Sequence, residues 1–300
     1  MNNHKARQIS SNKRQDEANL PTNYKQMFGF AYRTNFMLVL KTSLILSLFS
    51  IPFIVSLIFK GILETSIMST SDVGQDELYS RLLNFRSIYS VVILFCFMVF
   101  SIGFAGAINV MRRFIIGEGV LYYRDFLEGI KKNFLSYLLI TFFYGAILLI
   151  LNFIMNIPQA INYYSFSLVI FIIISIFSMS MYFLTLEINT VYKVPFFKMI
   201  KNSFLMFISK FPFALLMLIC SIGPLVICYM IPIPLVTYIS ILIYIGIGFG
   251  NAALTITLFS SYIFDECVNK NQFPEIYKKG LYNQQETSMV DMGFKDGTKD

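Results

Sequence analysis

Four asparagines lie within or near the long apolar runs of this sequence, Asn109, Asn152, Asn156 and Asn251, and Asn251 has the context most suited to chemistry. It follows the glycine-rich stretch GIGFG and precedes Thr255 and Thr257. A polar amide in such a run either hydrogen-bonds to a neighbouring helix or lines a path for a solute. Because Gly246 and Gly250 form a GxxxG pair that permits close helix contact, the sequence favours packing over a substrate site.

Two other groups in apolar runs also indicate structural roles. Gly103 and Ala107, four residues apart in SIGFAGA, predict a second helix-packing face. Glu187 stands at the end of an apolar run, near basic residues, and we expect it to form a boundary ion pair. We find no ionisable residue in the middle of an apolar run, where transport coupled to ions or protons would need one.

Motifs for catalysis or cofactor binding are not found in the sequence. The single histidine, His4, lies in a polar N-terminal segment, which argues against a zinc site or histidine-based catalysis. No phosphate-binding loop, HExxH motif or nucleophile elbow occurs. The sequence therefore predicts no enzyme and no cofactor, and a membrane enzyme acting on lipid-linked substrates has no residue in its support.

The composition indicates which elements must position these residues. Apolar residues make up 56% and charged residues 14% of the 300-residue chain, and the mean hydropathy is +0.64. Soluble domains average about 45–50% apolar and about 25% charged residues, and a helix of about 20 apolar residues spans a bilayer. We therefore predict an all-α polytopic membrane protein with about six transmembrane helices, at about 37–59, 88–110, 135–157, 164–186, 211–231 and 235–263.

Basic residues are unequally divided between the two sides of this predicted membrane domain. All but Lys60, Arg81 and Arg86 of the 24 lysines and arginines fall on the side that carries both termini. The positive-inside rule places that side in the cytoplasm. Membrane insertion and contact with anionic lipid headgroups then explain the net charge of +7. We therefore expect no nucleic-acid partner. The predicted parts are cytoplasmic tails at 1–27 and 264–300 and a membrane domain at 28–263 with an outer loop at 60–87.

One ten-residue sequence motif, which we call the repeated phrase, occurs three times, each time before a predicted span that leaves the cytoplasm. The copies are FGFAYRTNFM (28–37), FLEGIKKNFL (126–135) and FFKMIKNSFL (196–205). In a helix, Phe126, Ile130 and Phe134 form one apolar stripe with Lys131 beside it. We expect each copy to be an amphipathic segment at the inner interface that turns into a span. The pattern favours three parallel helical hairpins, and similar constraints at similar boundaries are the alternative.

The stretch RRFIIGEGVLYYRDFLEGIKKNFLSY, residues 112–137, resembles the YesL-like family of bacterial polytopic membrane proteins. The likeness is carried by basic, glycine, acidic and aromatic positions, namely Arg112, Arg113, Phe114, Gly117, Glu118, Arg124, Phe126, Lys131, Lys132 and Phe134. The preceding IGFAGAIN keeps the small residues of the family without its proline. The resemblance implies a multi-pass protein of the bacterial plasma membrane that serves carbohydrate ABC importers as an accessory factor and has no catalytic residues to assign.

Two functions follow as predictions. The first is a non-catalytic accessory or scaffold component of a transport system, with carbohydrate ABC import as its leading case. The alternative is a stand-alone permease for a neutral or amphiphilic solute, with Asn251 on its path. The pattern FLEGIKKNF is a poor copy of the coupling loop of ABC permeases, so we do not expect the chain to be that permease. Residues expected to make contacts at the inner interface are Arg112, Arg113, Glu118, Arg124, Lys131 and Lys201, and DECVNKNQFPEIYKKGL (265–281) is a candidate docking segment.

Overall fold

The secondary structure is helical throughout the part of the chain that can be described. The computed structural model describes residues 20–69, 74–155, 164–192, 194–231 and 234–282, and these ranges contain no strand. The helices are α1 (Tyr24–Thr34), α2 (Phe36–Met68), α3 (Gln75–Ile115), α4 (Tyr122–Met155), α5 (Tyr164–Val191), α6 (Phe196–Ser209), α7 (Phe211–Ser221), α8 (Gly223–Met230), α9 (Pro234–Ile243), α10 (Phe249–Phe264) and α11 (Lys270–Gln272). Two π-helical turns, Tyr244–Gly248 and Asp265–Asn269, join α9, α10 and α11 into one run. The fold is that of an all-α polytopic membrane protein.

The number of spans agrees with the number predicted from hydropathy. Within the described ranges, five helical runs are long and apolar enough to cross a membrane, and a bent pair brings the number to six. The bent pair is α6 and α7, whose axes meet at 99° next to Lys210. Pro212 and Pro224 stand in the first turns of α7 and α8. Proline is favoured in a first turn, where its missing N–H costs no hydrogen bond, so both positions suit the start of a helix and this span is built from short segments.

The predicted outer loop at 60–87 is mostly helical. Residues 60–68 continue α2 and residues 75–87 begin α3, while Thr70 to Val73 lie outside the described residues. The Glu64 carboxylate accepts a hydrogen bond from Arg86 of α3 at 3.0 Å and lies 4.0 Å from Lys60 of its own helix. Charges of opposite sign four residues apart support a helix rather than end it. The described charged residues at 60–87 therefore do not end the two helices.

Several equivalent positions in the three copies of the repeated phrase are exposed or buried alike, although the first position is exposed at Phe28 and buried at Phe126. Phe36, Phe134 and Phe204 are 40%, 44% and 45% exposed. The positions that follow them are also exposed, and so are the basic positions before them: Met37, Leu135 and Leu205, and Arg33, Lys131 and Lys201. Two further sets of equivalent positions are buried, Val39 with Tyr137 and Phe207, and Leu46 with Tyr144 and Ala214. Equivalent environments over these positions favour the repeat over chance similarity at membrane boundaries.

The prediction that every copy turns into its span is wrong for the middle copy. The first copy breaks at Asn35 between α1 and α2, and the third is followed by the bend at Lys210. The middle copy lies inside α4, which runs without a break from Tyr122 to Met155. At the position equivalent to Asn35, Asn133 is buried and its Oδ1 accepts a hydrogen bond from Asn189 of α5 at 3.2 Å. The side chain is thus held by a neighbouring helix and does not interrupt its own.

Aromatic rings fill the centre of the helix bundle. Phe97 of α3 lies 5.8 Å from Tyr182 of α5, measured between ring centroids, and Tyr182 lies 6.0 Å from Tyr144 of α4. Further contacts join Phe100 to Phe249 of α10 at 5.5 Å, and Phe104 to Phe183 at 5.9 Å. Ring pairs at such distances stabilise beyond the apolar area that they bury. The spans α3, α4, α5 and α10 are therefore held together by ring contacts in the middle of the bundle.

Candidate functional site

Four separated parts of the chain meet at one end of the bundle, which we call the basic end (residues 20–35, 111–125, 191–210 and 261–282). The Tyr24 hydroxyl donates a hydrogen bond to Asp265 Oδ2 at 2.6 Å, across 241 residues of sequence. The Tyr282 amide donates to the Pro21 carbonyl oxygen at 2.8 Å, and Lys279 Nζ lies 3.3 Å from Glu118 Oε1. The N-terminal and C-terminal parts of the described chain are therefore joined at the same place.

Asp265 is the centre of a hydrogen-bonded group that we call the polar junction (Tyr24, Tyr192, Asp265, Asn269 and the Lys278 amide). The π-turn after α10 places its buried carboxylate beneath α1. Besides Tyr24, it accepts hydrogen bonds from Asn269 Nδ2 at 2.7 Å and from the Lys278 backbone amide at 3.0 Å. Asn269 Oδ1 in turn accepts a hydrogen bond from the Tyr192 hydroxyl at 2.5 Å. A buried carboxylate that accepts three hydrogen bonds does not require a cation to stabilise its charge.

Residues 273–282, which we call the C-terminal strap, cross the end of α3 on their way to Pro21. Gly280 has a φ of +90° and lies so close to Ile115 that a Cβ would meet its carbonyl oxygen. Only glycine adopts this conformation readily and allows so close an approach. The strap is further held by the Lys278 amide on Asp265 and by Lys279 on Glu118. The candidate docking segment 265–281 is thus folded against the chain itself.

The phenols at this junction are held in their neutral form. Burial raises the pKa of the Tyr24 phenol far above its ordinary value of about 10, and the neighbouring Asp265 carboxylate raises it further. Burial also raises the pKa of the Tyr192 phenol. In the unfolded chain both groups would ionise near pH 10, so the folded protein retains these protons to higher pH than the unfolded chain does. Their contribution to stability is present below about pH 10 and decreases as the pH rises above it.

We therefore expect the C-terminal strap to be released by alkali. Hydrogen exchange of the Lys278 amide should be slow at pH 8 and should lose its protection above about pH 10, beyond the intrinsic increase of exchange with pH. Tyr24→Phe, which removes one hydrogen bond from Asp265, should destabilise the junction by about 1 kcal/mol and accelerate exchange already at pH 8. Tyr123→Phe, at an exposed tyrosine, is the matched control. Equal protection of Lys278 in both variants would contradict this account of the junction.

A small cavity opens at the basic end between α1, α3, α10 and the C-terminal strap. Its volume is about 210 Å³, and its polar lining consists of Tyr24, Arg112, Glu118, Ser261, Asp265, Asn269 and Lys279. Arg112 Nη1 is buried and has no hydrogen-bond partner among the described residues. Deeper in the protein, Glu187 is buried with its Oε1 likewise unpartnered. The carboxyl of Glu187 lies within hydrogen-bonding reach of Thr257, and it feels the charge of Arg112.

The boundary ion pair expected at Glu187 is not formed. The ion pairs of the described residues at this end join other groups: Arg113 with Asp125 and Glu128, Lys210 with Glu266, and Lys279 with Glu118. Arg112 of α3 and Glu187 of α5 influence each other electrostatically but do not form an ion pair. Glu187 is buried instead among spans, with Thr257 of α10 beside it.

The other expected inner-interface residues lie at the same end, but with different roles. Arg113 is bound by two carboxylates, at 2.5 Å from Asp125 and 3.0 Å from Glu128. Glu118 is occupied by Lys279. The side chains of Arg124, Lys131 and Lys201 are exposed. The sequence therefore placed these residues at a common end, and two of them, Arg112 and Glu118, line the cavity.

The glycine and asparagine candidates lie at helix contacts. A Cβ on Gly103 would meet the ring of Phe49, and Ala107 is fully buried. A Cβ on Gly250 would meet the carbonyl oxygen of Val39, whereas Gly246 has open space around it. The expected GxxxG face is therefore present at Gly250 only. The π-turn Tyr244–Gly248 adds a residue to the helical turn and rotates Gly246 away from that face.

Asn251 joins α1 to α10. Its Oδ1 accepts a hydrogen bond from the Tyr32 hydroxyl at 2.7 Å. Tyr32 belongs to the first copy of the repeated phrase, so the bond fixes α1 against α10 next to the contact of Gly250 with Val39. Both polar partners are satisfied by each other. This geometry supports the packing role that the sequence favoured for Asn251.

The fold and this site define the class of the protein as a polytopic α-helical membrane protein with a polar junction at its basic end. In the described part of the chain, no group of three or more histidine, cysteine or acidic side chains is arranged to hold a metal ion. Comparison with models of known protein families, with curated proteins and with solved structures gave no significant match.

Proposed function

We propose that this protein is a non-catalytic accessory or scaffold component of a bacterial plasma-membrane transport system, with carbohydrate ABC import as the first system to test. The observation that carries the proposal is the packed interior of the bundle. Rings of α3, α4, α5 and α10 interlock at its centre. Asn251, the side chain best suited to line a solute path, is bound to Tyr32. These contacts favour a rigid helical scaffold over a permease.

The basic end supplies a surface for a partner. Arg124, Lys131 and Lys201 are exposed there. Beside them, α6 turns by 99° from its span and exposes Phe197 to 81% next to the exposed Lys198. An amphipathic helix with aromatic and basic side chains lies in the interface of a membrane. A membrane partner would therefore meet α6 at the level of the lipid headgroups. The YesL-like resemblance of residues 112–137 supports a transporter as that partner.

The proposal places the basic end in the cytoplasm, and labelling can test this orientation. Tyr79→Cys and Tyr123→Cys, made in a cysteine-free background, report on opposite ends of the bundle at exposed positions and change no charge. A membrane-impermeant maleimide should label Cys at position 79 in intact cells, and Cys at position 123 only after permeabilisation, because basic flanks are retained inside. The reverse pattern would overturn the orientation.

Partner capture in the native host tests the function itself. A photoreactive amino acid at Phe197 should crosslink to a subunit of a transporter, and the tagged protein should then co-purify with that subunit in stoichiometric amount. The same amino acid at Leu48, which is 63% exposed on a span, is the control for contacts with lipid. Recovery of the protein alone, together with solute uptake by liposomes that contain only this chain, would favour a stand-alone permease and contradict the scaffold.

A further inference from the structure

A cationic side chain at the basic-end cavity, Arg112, has one nitrogen without a hydrogen-bond partner in the described part of the chain, although the charge of the group interacts with that of Glu187. Arg112 Nη1 is buried and unpaired among the described residues. An arginine is charged at any physiological pH, and a buried charged donor without an acceptor is costly. The neighbouring Arg113 shows the contrast, because it is bound by Asp125 and Glu128. Of the two adjacent arginines, only Arg112 lines the cavity and has a nitrogen free to bind a ligand there.

The carboxylates around the cavity are engaged elsewhere. Glu118 is paired with Lys279 at 3.3 Å. Asp265 accepts hydrogen bonds from Tyr24, Asn269 and the Lys278 amide. Glu187 lies deeper, beside Thr257, and does not line the cavity. The acceptor that would satisfy Arg112 Nη1 is thus not supplied by these acidic groups.

We propose that this cavity binds the phosphate group of a small hydroxylated molecule, with Arg112 as its principal ligand. Arg112, Lys279 and Ser261 all line the cavity and supply hydrogen-bond donors from three separate parts of the chain. Donors from several directions suit the oxygens of a tetrahedral phosphate better than the two oxygens of a planar carboxylate. Beyond their bonds to Lys279 and to the three donors on Asp265, the Glu118 and Asp265 carboxylates keep lone pairs that can accept hydrogen bonds from the hydroxyl groups of the same molecule.

The size and position of the cavity restrict the ligand further. At about 210 Å³ it is smaller than the about 300–1,000 Å³ of pockets for drug-sized ligands. Its apolar lining includes Ile115, Ile116 and Phe264, at the ends of spans. A phosphoglycerol group fits these limits, and it occurs both in a lipid headgroup and as a free organic phosphate. The binding site is independent of the proposed scaffold function.

Thermal unfolding in a phosphate-free maltoside detergent tests the site with glycerol 3-phosphate as the probe. We expect a saturable rise in the unfolding temperature with glycerol 3-phosphate and none with glycerate, its carboxylate counterpart, at equal ionic strength. Arg112→Gln should raise the half-saturating concentration by about tenfold or more, since it removes a charge-assisted hydrogen bond. Arg124→Gln, at an exposed arginine of the same end, should behave as the wild type.

Native mass spectrometry of the delipidated protein distinguishes the two sources of phosphate. Phosphatidylglycerol retained by the wild type and lost by Arg112→Gln would identify a lipid headgroup, whereas response to glycerol 3-phosphate alone would identify a soluble ligand. If Arg112→Gln does not fold, Lys279→Gln, at a half-exposed position, should still weaken binding severalfold. The proposal is overturned if neither probe binds the wild type, if glycerate stabilises equally, or if the folded variants bind as the wild type does.

Discussion

Gly250→Ala is expected to destabilise the protein by about 1–3 kcal/mol or more, the range for overpacking of a filled core. A Cβ at this position would meet the carbonyl oxygen of Val39, with the amide of Ser43 also close. Backbone atoms cannot rotate away as the end of a side chain can, so α2 and α10 would have to separate. Thermal or denaturant unfolding of the purified protein in one detergent measures the change.

Gly246→Ala is the matched control, four residues earlier in the same helical run. No atom lies within 4 Å of the position where its Cβ would stand. Since alanine is favoured over glycine in helices by up to about 1 kcal/mol, this variant should equal or exceed the wild type in stability. Equal losses of stability in the two variants would show that α2 and α10 do not meet at Gly250.

Removal of one buried charge at a time should be more harmful than removal of both. Arg112 and Glu187 interact electrostatically. Glu187→Gln therefore removes negative charge that stabilises the Arg112 cation, and Arg112→Gln removes positive charge that stabilises the Glu187 carboxylate. Uncompensated buried charges are strongly destabilising. In a phosphate-free buffer, the double variant should lose less free energy of unfolding than the two single variants lose together. The difference, which is the coupling energy of the two side chains, should be about 0.5–3 kcal/mol.

A second double-mutant cycle, with Arg81→Gln and Glu77→Gln, provides the comparison. Those side chains form an ion pair at 2.7 Å, but both are more than half exposed. Exposed pairs contribute about 0–1 kcal/mol, so little coupling is expected there. Coupling between Arg112 and Glu187 as weak as that of the exposed pair would mean that the two buried charges do not sense each other.

Much of the fold could be predicted from local sequence, because spans and their ends are local features. Apolar length gave the spans, and the repeated phrase indicated hairpins whose equivalent residues, such as Phe134 and Phe204, are equally exposed. The helical continuation past Lys60 could not be predicted from apolar length, since a helix can continue beyond the end of an apolar run. The π-turn at Tyr244–Gly248, which separates Gly246 from Gly250, has no signature in spacing alone.

The polar junction could not be predicted, because it depends on pairing between distant segments. Asp265, Asn269 and Tyr192 appear in the sequence as ordinary residues of loops and tails. Their roles follow from the hydrogen bonds of Asp265 with Tyr24 and of Asn269 with Tyr192. A buried unpartnered atom such as Arg112 Nη1 is likewise visible only when all the neighbouring helices are in place. The expected basic interface included Arg112 but gave no reason to separate it from Arg113.

The bond between Tyr24 and Asp265 sets an order of events during biosynthesis. Ribosomes add about 5–20 residues each second, so the 241 residues that separate the two partners take roughly 10–50 s to appear. During that interval α1 has been synthesised, but its hydrogen bonds to Asn251 and Asp265 cannot form, because α10 and the segment after it do not yet exist. The first helix of a nascent chain therefore reaches its final position only after the last span has been made.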